Sequence, residues 1–242
     1  MTNTHAEALK YFEVLLAAYR YDGPTPKWPA WANPLESENS DTDTQYVYEY
    51  MPADSLLYIL FPGTASLRDV ITDAMAWKQV VPYGNFDSAI RVHAGFSRAW
   101  KSIRGLILAI VVKHRPENIV VVGHSLGGGI APHCAVDIQY NTGIVPRVYT
   151  SGAPRTGNKA FRDSYNRRIP THTRYENYHD PVVMVPRINY YHVGELCKIR
   201  AKDKSVKVKF VFGKFFISLI LLYHNILNYI KGIKPKCGRN TI

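Results

Sequence analysis

Ile119-Val120-Val121-Val122-Gly123-His124-Ser125-Leu126-Gly127-Gly128-Gly129 is an apolar strand that runs straight into a serine flanked by glycines two residues to either side. A serine hydroxyl attacks a carbonyl only when it stands clear of its backbone, beside a base and beside donors that hold the developing oxyanion. Gly123 and Gly127 leave room for a sharp turn from strand to helix. They let Ser125 sit in a strained conformation at the apex and let the helix pack close to its strand. The stretch reads as a nucleophile elbow. A glycine-rich turn or a phosphate cradle at a helix N-terminus is the alternative. No lysine follows Gly129, which argues against the cradle.

Working outward, Gly95 to His114 places Phe96, Trp100, Ile103, Leu106, Ile107 and Ile110 on one side and Arg98, Lys101 and Arg104 on the other, so it reads as an amphipathic helix ending before Pro116. Strands are expected at Tyr46 to Met51, Ser55 to Phe61, Asn118 to Val122, Arg147 to Thr150 and His172 to Tyr178. The last two are separated by a polar stretch from Arg155 to Arg168. Ala6 to Tyr19 has helical spacing, and the prolines at 24, 26, 29 and 34 make Tyr21 to Asp43 an extended excursion with Trp28 and Trp31 as anchors. The helix after the elbow runs through Asp137, and Pro132 within it predicts a kink or a shortened first turn. Strands alternating with helices give an α/β fold, a mostly parallel central sheet with helices on both faces. The 242 residues suit one domain, 1–242.

The formal charge of +11 lies almost wholly at one end: residues 198–242 carry 11 Lys and Arg against Asp203 alone. No recognition motif or basic groove with interleaved aromatics accompanies it, so nucleic acid is not an expected partner. The alternation in Val206-Lys207-Val208-Lys209-Phe210 fits a solvated edge strand or a surface that meets anionic lipid. Phe215 to Tyr223 is the most apolar run and is too short to span a bilayer. Cys134, Cys197 and Cys237 are far apart and lack metal-ligand spacing, so neither a disulfide framework, a metal site nor a cofactor is called for. That count, with a polar Met1 to Lys10, predicts a cytoplasmic protein, peripheral at membranes or lipid surfaces if the basic end binds them.

Ser125 needs a base and an orienting acid. With an elbow of this kind the chain order is serine, acid, histidine. Asp180, at a strand exit before Pro181, fits the acid, and it equally fits a turn cap. His93 and His179, each beside a turn, read as scaffold. Four blocks then occur in order: Phe61-Pro62-Gly63-Thr64-Ala65-Ser66 with Asp69 and Asp73, Val92-His93-Ala94-Gly95-Phe96, the elbow, and Asn177-Tyr178-His179-Asp180-Pro181-Val182. A fifth is Ser151-Gly152-Ala153-Pro154-Arg155-Thr156-Gly157-Asn158. Together they resemble the class 3 lipases, the fungal-lipase-like branch of the α/β hydrolases, over most of the chain.

The resemblance implies an α/β-hydrolase fold and a serine carboxylester hydrolase acting on lipid esters through an acyl-enzyme. Triacylglycerol lipase, phospholipase A1 and general esterase share that chemistry. It implies Asp180 as the triad acid and His224, in Tyr223-His224-Asn225-Ile226-Leu227-Asn228-Tyr229, as the base, with His192 as its competitor. It also implies Thr64 and Leu126 as oxyanion donors, and residues 65–82 as a lid or, alternatively, a fixed surface helix. The competing function of another class is a lipid-binding, membrane-associated protein on a hydrolase scaffold without turnover.

Overall fold

Leu56–Phe61 (β3) and Asn118–His124 (β6) are nearly continuous apolar runs, and from Leu56 to Phe61 every side chain is buried. Such runs belong in the centre of a sheet covered on both faces. In the computed structural model, which describes residues 4–19, 27–39, 42, 44–63, 79–80, 82, 88–201 and 224–237, these two strands pair in parallel at the middle. The remaining strands are Leu35–Asn39 (β1), Thr44–Met51 (β2), Arg147–Ser151 (β7), His172–Asn177 (β8) and Glu195–Ile199 (β9). The order across the sheet is β1-β2-β3-β6-β7-β8-β9. The pairs β1–β2 and β2–β3 are antiparallel and every later pair is parallel. A small second sheet pairs Gln79–Val80 (β4) with Val92–His93 (β5).

The alternation of side chains along the strands divides the interior in two. Leu57, Ile59, Phe61, Ile119 and Val121 pack with Ala94–His114 (α2), Leu126–Thr142 (α3) and Lys159–Arg168 (α4). Tyr58, Leu60, Val120 and Val122 pack on the other face with Thr4–Tyr19 (α1) and Ile226–Cys237 (α5). This is the expected α/β arrangement. Trp28 and Trp31 pack against the second cluster, with Lys10 Nζ 4.0 Å above the Trp31 ring.

Three local expectations change. The excursion from Tyr21 to Asp43 contains β1, in register Leu35 with Tyr48. An edge strand pairs on one side only, so its sequence need not be apolar. The polar stretch from Arg155 to Arg168 contains α4, which Asn158 opens by accepting the Phe161 N–H at 3.0 Å and which buries only Phe161 and Tyr165. Across Pro132, α3 is helical from Leu126 to Thr142, so the expected shortening of its first turn is not seen. Residues 64–78, with Thr64 and most of the proposed lid, lie outside the described residues, as do 202–223 with the alternating basic strand and the apolar run.

Candidate active site

The turn from β6 into α3 is made at Ser125, whose φ of 57° and ψ of −123° are strained for a residue with a side chain. Two hydrogen bonds hold it: Ser125 N–H donates to the Ser151 carbonyl at 3.0 Å, and Gly129 N–H donates to the Ser125 carbonyl at 3.3 Å. The flanking glycines are required by contact. A β-carbon at Gly123 would lie 2.2 Å from the Gly127 carbonyl oxygen, and one at Gly127 would lie 2.0 Å from that of Phe61. Both obstacles are backbone, which cannot rotate away. Gly127→Ala is therefore expected to destabilise the fold by about 1–3 kcal/mol, read as a lower urea midpoint at unchanged slope; an unchanged midpoint would contradict this packing.

Asp180 follows β8 by three residues, across the turn at Tyr178 and His179, and is 1% exposed. A carboxylate this buried requires partners. Its Oδ1 accepts the Val182 N–H at 2.9 Å, and its Oδ2 is 2.8 Å from His224 Nδ1 and accepts the Tyr229 hydroxyl at 2.5 Å. The Tyr229 oxygen in turn accepts the Asn177 N–H at 3.1 Å. Asp180 thus caps its turn and also binds a histidine. His224 is fully buried, directly before α5. With Nδ1 towards Asp180, its Nε2 has no hydrogen-bond partner among the described residues, and neither has Ser125 Oγ.

Close contacts tie that pair to the elbow. The His224 ring stacks on His124, the neighbour of the serine, with centroids 4.8 Å apart. At Gly152, where φ is +59°, a β-carbon would lie 2.7 Å from His224 Cε1 and 3.3 Å from Asp180 Oδ2. At Gly63 it would lie 2.8 Å from Ser125 Cβ, and the Gly63 N–H donates to the Tyr19 hydroxyl. Leu126 opens α3, so its N–H has no acceptor within the helix.

His192 is engaged elsewhere. Its Nε2 is 2.8 Å from the Val183 carbonyl oxygen and 3.3 Å from Glu176 Oε1, and burial beside Arg174 pushes its pKa down to about 3. His93 accepts the Gly95 N–H at the start of α2. Sequence reading quoted Tyr229 and Ser151 without giving them a role, and it missed Tyr19 and the contact of His124 with His224. The available signals were the aromatic five residues after His224 and the Ser151-Gly152 block. Among the described residues no group of His, Cys, Asp and Glu is placed to hold a metal ion, and no helix is long and apolar enough to cross a membrane.

The profile of Lipase (class 3) matches residues 58–190, more than half of the chain. The chain belongs to the class 3 lipase family. Among the relatives of this class 3 lipase-family chain, the lipase of Rhizomucor miehei is 30% identical over 163 residues, covering 63% of this chain and 44% of that one. The secreted mono- and diacylglycerol lipase A of Penicillium cyclopium is 29% identical over 164 residues, covering 65% and 52%. The chain therefore spans about half the length of these curated relatives. A solved triacylglycerol lipase, described as having a serine protease triad as its catalytic centre, is 26% identical with a TM-score of 0.69, covering 83% of this chain and 81% of that one. The fold of this class 3 lipase-family chain is the α/β-hydrolase fold, as expected.

The cytoplasmic location expected from the sequence is corrected. The Penicillium relative is named as secreted, which points to an extracellular setting. The expectation leaned on the polar stretch from Met1 to Lys10 and on the scarcity of cysteines. A chain that buries a core of this size needs no disulfides to fold, so their scarcity carries no information about the compartment.

Proposed function

We propose that the protein is an extracellular, lipase-type carboxylester hydrolase whose single domain, 1–242, acts on lipid esters through an acyl-enzyme. The observation that supports this reading is the buried Asp180–His224 pair, whose imidazole stacks on His124 next to the strained Ser125, with Nε2 and Oγ both buried and without hydrogen-bond partners among the described residues. In the proposed sequence, Ser125 Oγ attacks the ester carbonyl while His224 Nε2 takes its proton. Asp180 Oδ2 holds Nδ1–H and stabilises the imidazolium that forms. The Leu126 N–H and Thr64 donate to the tetrahedral oxyanion. Collapse expels the alcohol, protonated by His224, and leaves Ser125 acylated. Water then enters with His224 again as base, releasing the acid and restoring the serine.

Hydrolysis of p-nitrophenyl esters from short to long acyl chains, with and without anionic vesicles, tests the reading beside Ser125→Ala and fluorophosphonate labelling. Turnover of long chains and labelling are expected in the parent protein, and both are expected to disappear in Ser125→Ala. Activity confined to short chains makes the protein an esterase, and activity on phospholipid alone makes it a phospholipase. A folded parent protein that neither turns over nor labels under any condition overturns the proposal in favour of a lipid-binding scaffold.

A further inference from the structure

His124 is used neither by the elbow motif nor by the proposed proton transfers, although it ends β6 next to the nucleophile and is only 3% exposed. Its ring lies face to face with that of His224, the planes 26° apart. Three groups fix it. Nδ1 is 2.9 Å from Ser151 Oγ, and the rings of Tyr19 and Tyr229 meet it edge-on with centroids at 5.8 Å and 5.6 Å. Two of these partners also belong to the site: the Ser151 carbonyl accepts the Ser125 N–H, and the Tyr229 hydroxyl donates to Asp180.

Among the described residues, the His224 ring is held by one hydrogen bond, Nδ1 to Asp180. One bond leaves an imidazole free to swing about its axis, which moves Nε2 relative to the serine. A second ring packed against its face removes that freedom. Burial and the neighbouring His224 keep His124 uncharged, so it offers a π face and no second positive charge when His224 takes up the serine proton.

We infer that His124 is a positioning residue for the reaction, a platform whose face fixes the plane of the His224 imidazole between Asp180 and Ser125. This rests on the reading of His224 as the base. Three variants separate the ring from its hydrogen bond: His124→Phe keeps the face, His124→Gln keeps a polar group for Ser151, and His124→Ala keeps neither. At temperatures where each variant is folded by circular dichroism, kcat on a p-nitrophenyl ester is expected to fall about a hundredfold in the Ala and Gln variants with KM unchanged. His124→Phe is expected to recover most of that loss.

In 15N-histidine NMR spectra the Nδ1–H signal of His224 is expected to persist in His124→Phe and to broaden or vanish in His124→Ala, including in a Ser125→Ala background. Wild-type kcat in His124→Ala, or equal losses in the Ala and Phe variants, overturns the inference. If the parent protein shows no Ser125-dependent turnover, it is the proposed function that fails. The NMR comparison then decides the inference alone, with an unchanged His224 signal in His124→Ala overturning it.

Discussion

His224→Ala lowers kcat by on the order of a millionfold in the expected result, whereas His192→Ala leaves kcat within about twofold of the parent, because removal of a triad base costs nearly as much as removal of the triad. The asymmetry follows from where the two rings are tied. His224 spends one nitrogen on a buried carboxylate and keeps the other without a partner among the described residues. His192, whose Nδ1 is likewise without a partner among the described residues, directs its Nε2 at the Val183 carbonyl and Glu176, away from Asp180, and burial with Arg174 beside it disfavours a positive charge. A ring held with its pKa near 3 is a poor acceptor for a serine proton at neutral pH. Steady-state kinetics on folded protein, with acyl-enzyme formation followed by mass spectrometry, checks both variants. Comparable losses in the two would place the base outside the Asp180 pair.

The second large effect is loss of stability in acid, well above the range in which carboxylates protonate. Burial pushes His133 down to about 4 and His172 to about 3, and His192 shares that depression. His172 is held uncharged between two hydroxyls, Thr150 at 2.9 Å on Nε2 and Tyr165 at 3.0 Å on Nδ1. In the unfolded chain these rings titrate near 6.5. Below that value the unfolded state binds the extra protons, so stability rises with pH. The contribution is fully present above pH 6.5, declines as pH falls below that value, and is exhausted at the folded values of about 4 and 3. Each ring adds up to about 1.4 kcal/mol per pH unit across that window, enough to consume a domain stability of about 5–15 kcal/mol within a few units. Urea midpoints measured from pH 7.5 to 4 are expected to fall steeply below 6.5. His172→Gln, which keeps polar partners for Thr150 and Tyr165, is expected to flatten the curve by one proton. A midpoint constant down to pH 5 would contradict the burial of these rings as neutral groups.

The elbow was legible because its demands are local: β-carbons at Gly123 and Gly127 collide with backbone only a few residues away or on the adjoining strand. The central strands and α2 were legible because burial on both faces, or along one stripe, writes a periodicity into the chain. The pairing of Asp180 with His224 was not readable from spacing, since the two lie 44 positions apart, and it came only through resemblance to a family. The edge strand β1 escaped because its sequence, Leu-Glu-Ser-Glu-Asn, is mostly polar, and the helix α4 because it buries only Phe161 and Tyr165, which leaves little apolar pattern to read. The hydroxyl of Tyr229 and the ring of His124 escaped for a different reason: each is defined by what another segment brings against it. The compartment escaped because no element of the fold depends on it.

His224, the proposed base, stands two residues before α5, and α5 rests against α1 in the cluster built from Tyr11, Phe12, Leu15, Tyr229, Ile230 and Ile233. The serine, by contrast, comes from the middle of the chain. During synthesis Ser125 therefore emerges about a hundred residues before His224, and His224 takes its place only when a late helix closes on an early one. On the proposed roles, a ribosome-bound or prematurely terminated chain carries the Ser125 hydroxyl without its base, and hydrolytic competence is expected as a late event of biosynthesis.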